Sequence, residues 1–191
     1  MLPLAIKLTD KDVLVIGAGR VGTGKAGLLV EAGARVTMIA REIGAGLPRD
    51  LASFEQREYR DGDLRGYTLV VSATGDASVN DRIVEEARRE HIWLNVVDDP
   101  ARSDFYFTAV HRDGDVVVSV STEGASPALA QELRSIIAER LPDNLGDVAQ
   151  QLRRERAELH AEGSSTEGLD WRPRIRELLG GIEFSRGRAP R

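Results

Sequence analysis

Asp12-Val-Leu-Val-Ile16 runs directly into Gly17-Ala-Gly19-Arg-Val-Gly22, and the helical spacing of Ala26, Leu28, Leu29 and Val30 begins just beyond. A short apolar run that stops at glycine reads as a buried parallel strand. Three glycines spaced G-x-G-x-x-G between a strand and a helix have a specific use. The first permits a tight turn, the second lets backbone approach a pyrophosphate, and the third lets helix and strand pack closely. The helix N-terminus adds unpaired N–H groups and positive partial charge for phosphates. Gly17, Gly19 and Gly22 are therefore the first candidate dinucleotide-binding residues.

The pattern continues in both units of the chain. A helix is expected over 21–31, stopped at Ala32-Gly33, followed by a strand over 34–40. Further strands are expected over 54–59, 69–73 and 93–97, with a helix over 78–90 capped by Ser78. This alternation predicts an α/β fold with a Rossmann-like parallel sheet. After Pro100 the periodicity changes. Segments 105–111 and 116–121 alternate like strands around Arg112-Asp-Gly-Asp115, a hairpin signal. Ser126-Pro127 opens a helix to about Arg140. A charged helix over 145–161, a turn at Gly163–Gly168 and a last short helix over 171–179 follow. The expected organisation is a nucleotide-binding domain over 1–112, a hairpin-plus-helix dimerisation region over 113–145, a small helical C-terminal part over 146–184, and a flexible tail over 185–191. The second half carries too little apolar sequence for a core of its own, so it is expected to pair with a second copy.

Composition removes several classes. The 191 residues contain no cysteine, which eliminates disulfides, thiolate metal sites and thiol nucleophiles. His91, His111 and His160 have no metal-ligand spacing, so no resident protein metal site is expected. A net charge of −5 disfavours nucleic-acid coating. No apolar stretch approaches the roughly 18 residues of a membrane span, and no secretory leader is legible, so a cytoplasmic location is expected.

Three strand ends carry the remaining candidates. Arg41 and Glu42 follow the second strand, where the ribose is gripped. Glu42 suits a 2′-hydroxyl and NAD, whereas Arg41 beside the small Ala40 suits a 2′-phosphate and NADP. Thr74, in Ala73-Thr74-Gly75, either lines the cofactor crevice or makes a turn. Asn95-Val-Val-Asp98-Asp99-Pro100 places Asp98 at the rim where cofactor and substrate meet. Removal of a hydride and a proton needs a base there, and a carboxylate can serve. Asp-Asp-Pro also suits a turn, and Asp98 a helix cap. Asn95 reads as a loop-holding residue.

In order, Gly17-Ala-Gly19, Lys25-Ala26, Leu28-Leu29, Glu31-Ala-Gly-Ala34, Ala73-Thr74, Asn80, Asn95-Val-Val-Asp98, Phe105 and Ser121-Thr-Glu-Gly124-Ala-Ser-Pro127 resemble the precorrin-2 dehydrogenases, the N-terminal modules of sirohaem synthases. The resemblance covers residues 1 to 150. It implies NAD-dependent oxidation of precorrin-2 to sirohydrochlorin by a homodimer, with iron insertion added in some members. The metal, Fe2+ or Co2+, would then be handled transiently. It places the key aspartate on Asp98 and nucleotide contacts on Arg20, Val21, Arg41 and Glu42. The carboxylate-rich substrate implies cations, for which Arg102 and Arg112 are the candidates, and the loop of Ser121 and Thr122 is a candidate pocket wall. Glu123 departs from the family, where glycine is usual. Two other classes compete: a regulatory NAD-sensing module and a tetrapyrrole carrier without catalysis.

Overall fold

The computed structural model describes residues 1–44 and 46–180. The expected tail, and residues 181–184 of the expected C-terminal part, lie outside the described residues. The chain divides into two compact units between Phe107 and Thr108.

The first unit is a five-stranded sheet ordered β3-β2-β1-β4-β5, with β1 Asp12–Ile16, β2 Arg35–Ala40, β3 Ser53–Gln56, β4 Leu69–Ser72 and β5 Trp93–Val96, all neighbours parallel. Helices α1, Arg20–Glu31, and α2, Ala77–Glu90, cover opposite faces. The alternation of side chains along β1 explains its unbroken apolar run. Val13 and Val15 pack with Ala26 and Leu29 of α1, while Leu14 and Ile16 pack with Ile83 and Val84 of α2. Leu14, Ile39, Ile83 and Leu94 are withdrawn from water almost completely. Each such burial stabilises the fold by about 1.5–3 kcal/mol.

The strand order reverses at β1, whose neighbours β2 and β4 lie on either side. The crevice outside the carboxyl ends of the strands opens at such a reversal. At the far edge, β5 is closed by the chain that follows it. Ser103 Oγ accepts from the Val96 amide at 2.9 Å, and Asp104 Oδ2 accepts from that of Leu94 at 2.9 Å. Asn95 Nδ2 donates to the Phe105 carbonyl at 2.9 Å, the loop-holding bond expected of it.

Several boundaries depart from the sequence expectation, each with a physical reason. Helix α2 is capped by Asp76, not Ser78. Asp76 Oδ1 accepts from the amides of Ser78 (2.9 Å) and Val79 (3.2 Å), and the Ser78 hydroxyl merely supports it at 2.7 Å. The third strand stops at Gln56, because Arg57 turns away to bond Glu55 (2.7 Å) and Asp63 (2.6 Å). Phe105 and Phe107 are not hairpin strand. Their rings pair at 5.7 Å and pack on the first unit's core.

In the second unit, β6 Ala109–Asp113 and β7 Val116–Val120 form an antiparallel hairpin turned at Gly114-Asp115, with Asp113 opposite Val116. Helices α3 Pro127–Ala138, α4 Leu145–Ala161 and α5 Arg172–Leu178 follow. Ser126 caps α3 through the Leu129 amide at 3.2 Å. The start of α4 docks on the hairpin turn, where Asp113 Oδ2 accepts from the Gly146 amide at 3.1 Å.

Candidate functional site

Gly17, at φ 104°, ends β1 and turns the chain sharply. Its amide donates to the Ile39 carbonyl at 2.8 Å, and the Ala73 amide donates to that of Ile16 at 2.7 Å. The glycine loop is thus tied to both neighbouring strands. The three glycines divide by what surrounds them. A Cβ on Gly17 would stand 2.5 Å from the Ala73 carbonyl oxygen, and one on Gly22 2.1 Å from that of Gly17. Both positions are closed by backbone. A Cβ on Gly19 would meet nothing within 4 Å. Gly19 is also the N-cap of α1, which no side chain caps. The open space above Gly19, facing an uncapped helix start, fits the pyrophosphate of a dinucleotide.

This loop forms one wall of a cleft of about 560 Å³, lined also by Ala40, Arg41, Glu42, Glu58, Tyr59, Thr74 and Asp76. Of the residues singled out from sequence, Gly17, Gly19, Arg41, Glu42 and Thr74 line it. Arg20, Val21 and Gly22 form the adjoining first turn of α1. Thr74 Oγ1 accepts from the Asp76 amide at 3.2 Å, so it makes the turn as well as the wall.

Asp98 stands apart from these lining residues, two positions beyond β5. It is exposed and holds the left-handed conformation at φ 60°. That conformation is uncommon outside glycine, although aspartate tolerates it better than most residues. Lys25 of α1 lies within electrostatic reach of it, with Nζ 4.0 Å above the Phe107 ring. Burial lowers the Lys25 pKa, and the Asp98 charge opposes that shift. Arg102 is held in the same loop by Asp99 (2.5 Å) and by Asp81 of α2 (2.6 Å). Arg112, Ser121 and Thr122 belong to the second unit. Arg112 lies on β6 opposite Val117. Thr122 Oγ1 accepts from the Ser126 amide at 3.1 Å, and Ser121 Oγ accepts from that of Glu123 at 3.2 Å.

Three residues escaped the sequence reading. Gly44 follows β2 so closely behind the glycine loop that a Cβ there would stand 1.7 Å from the Ala18 carbonyl oxygen. Glu58 reaches the cleft from the end of β3. Glu86 is buried on α2, and the signal was present: Ile83 and Ala87 mark the inward face, and position 86 falls on it.

Glycine loop, uncapped helix and strand-order reversal together define a dinucleotide-binding protein of the Rossmann type. The family model described as "Putative NAD(P)-binding" matches residues 4–109. The chain belongs to that family. Among relatives, the siroheme synthase of Methylococcus capsulatus is 40% identical over 152 residues, covering 78% of this chain and 32% of the relative. That of Tolumonas auensis is 33% identical over 187 residues, covering 97% of this chain and 36% of the relative. The chain thus spans about a third of the length of these relatives. The solved structure of "SirC, precorrin-2 dehydrogenase" superposes with a TM-score of 0.70 at 22% identity, over 95% of this chain and 89% of that one, and shows the same fold.

Proposed function

We propose that the chain oxidises precorrin-2 to sirohydrochlorin with NAD, in the cytoplasm, as a step of sirohaem biosynthesis. The observation that carries this reading is Asp98. It is held in a left-handed backbone at the same end of the sheet as the glycine cradle, with the ammonium of Lys25 within electrostatic reach. Nicotinamide, when bound, supplies the hydride acceptor. The accompanying proton needs a base, and Asp98 is an exposed carboxylate at that rim. Gly19 and the first turn of α1, Arg20 and Val21, would hold the pyrophosphate, and Thr74 would face the nicotinamide half.

The preference for NAD over NADP is supported by the charges of the cleft. Arg41, Arg57 and Arg82 line it, and each already has a carboxylate partner, in Glu58, Asp63 and Asp61 respectively. Glu42 remains to meet a 2′-hydroxyl. Arg112, with the Ser121–Thr122 loop, is assigned to the carboxylates of the tetrapyrrole. Arg102 is assigned to holding the Asp98 loop, through Asp99 and Asp81. Iron insertion belongs to the same reading as a second step, with Fe2+ as substrate and Asp98 taking the pyrrole protons.

Residues 1–112 would bind the nucleotide. The region from 113 to 145 would pair with a second copy, supported by the apolar side chains it leaves in water: Val117 (46% exposed), Leu129 (51%), Leu133 (38%) and Ile136 (40%).

The test is turnover of precorrin-2, generated in situ, with NAD and no metal, followed by NADH and sirohydrochlorin absorbance. Wild-type protein should turn over. Asp98→Asn, which keeps the backbone preference, should lose about a hundredfold or more while still binding NAD. Tight dinucleotide binding without turnover would overturn the enzyme reading in favour of a regulatory module.

A further inference from the structure

We propose that Glu58 is the residue that makes the cleft discriminate between NAD and NADP, by neutralising Arg41. This rests on the dinucleotide reading above and adds to it a residue two positions beyond β3, not from the end of β2 where the ribose acid is usually sought.

The pairing is built from both sides. Arg41 Nη1 lies 3.8 Å from Glu58 Oε1. The Arg41 carbonyl accepts from Gln56 Nε2 at 3.3 Å, which fixes its backbone to the end of β3. The Glu58 carbonyl accepts from Arg57 Nη1 at 3.0 Å. Arg57 is itself locked to Glu55 and Asp63, with only 23% of its side chain exposed. Glu58 therefore stands on a rigid support. Asp76, which caps α2 across the cleft, also feels the Arg41 charge.

Arg41 is the one of the three lining arginines that chemistry leaves available. Arg57 is bound to two carboxylates. Arg82 bonds Asp61 and lies 5.0 Å over the Tyr59 ring. Arg41 is 69% exposed, and its ion pair is the longest of those made by the three. A 2′-phosphate would need its guanidinium, which Glu58 occupies. A 2′-hydroxyl makes no use of that cation and donates to a carboxylate instead.

The experiment measures Kd for NAD and for NADP by calorimetry on the wild type, Glu58→Gln, and Arg41→Ala/Glu58→Gln. The wild type should favour NAD. Glu58→Gln should lower the ratio Kd(NADP)/Kd(NAD) on the order of tenfold, the worth of one charge-assisted contact to phosphate. That gain should shrink at high salt and vanish in the double variant. An unchanged ratio in Glu58→Gln, a gain that survives Arg41→Ala, or a wild-type preference for NADP each overturns the role of Glu58 while leaving dinucleotide binding intact. Failure of the wild type to bind either nucleotide overturns the dinucleotide reading itself, and this inference with it.

Discussion

The Tyr59 hydroxyl donates its hydrogen bond to the carboxylate of Glu86, and both side chains are buried. The same carboxylate accepts from the amides of Gly62 at 2.9 Å and Leu64 at 3.1 Å. No helix connects β3 to β4. One acid on α2 instead gathers the turns between them, and Tyr59 so held becomes a wall of the nucleotide cleft.

Glu86→Ala should therefore cost about 3 kcal/mol of unfolding free energy, since it removes the acceptor from the buried Leu64 amide and Tyr59 phenol as well as from the half-buried Gly62 amide. Tyr59→Phe should cost about 1 kcal/mol. Urea unfolding monitored by circular dichroism measures both. Glu86→Ala at wild-type stability would mean that the loop does not depend on this carboxylate.

The phenol also predicts a pH dependence. Burial first, and the neighbouring Glu86 second, push the Tyr59 pKa above its ordinary range. A group whose folded pKa is raised favours its protonated form in the fold. Its contribution is fully present below the unfolded value of about 10 and is lost as pH climbs beyond it. Wild-type stability should therefore fall more steeply than that of Tyr59→Phe above about pH 10. Parallel slopes would contradict this.

The glycines separate a packing role from a binding role. Gly22→Ala, with its Cβ driven to 2.1 Å from the Gly17 carbonyl oxygen, should destabilise the protein measurably. Gly19→Ala should leave Tm nearly unchanged, because the new methyl enters open space, yet should weaken NAD binding on the order of tenfold by standing where the pyrophosphate approaches. Thermal melts and calorimetry on the two variants decide it. A Gly19→Ala protein with unaltered affinity would place the phosphates elsewhere.

The Lys25 ammonium should sense the charge of Asp98. Burial lowers the lysine pKa, and the aspartate charge holds part of that fall in check. Asp98→Asn should drop the Lys25 pKa further, which NMR of its Cε resonance reads directly. An unmoved titration curve would show that the two groups do not communicate.

Self-association should depend on the α3 stripe of Leu129, Leu133 and Ile136, spaced four and three residues apart on one face. Leu133→Glu is expected to convert a sedimenting dimer to monomer without loss of the first unit's secondary structure. A wild type that sediments as a monomer at all concentrations would rule out the pairing.

What the sequence made legible was local or periodic. The glycine loop could be read because three backbone demands coincide at fixed spacing. Helix α4 could be read because its charged and apolar positions keep one period from Leu145 to Ala161. Asp76 was passed over as a cap because Ser78 is an equally good cap residue, and only the bonds to the Ser78 and Val79 amides separate them. Glu58 and Gly44 act through contacts with Arg41 and Ala18, residues distant in sequence, and no local pattern announces such partners. Phe105 and Phe107 alternate like a strand, but their rings pack on the first unit's core, and burial overrode periodicity.

The outer edge of β5 has one further implication. Leu94 and Val96 present amide and carbonyl groups there, and Ser103 and Asp104 consume them: Ser103 Oγ donates to the Val96 carbonyl at 3.1 Å, and the Asp104 amide to that of Leu94 at 2.7 Å. An edge with no free donors or acceptors is a poor template for another chain. Loss of the Ser103 side chain, in Ser103→Ala, would free the Val96 amide and carbonyl for another strand. Protection of this edge against pairing therefore falls to two polar residues whose bonds look, at first sight, like loop decoration.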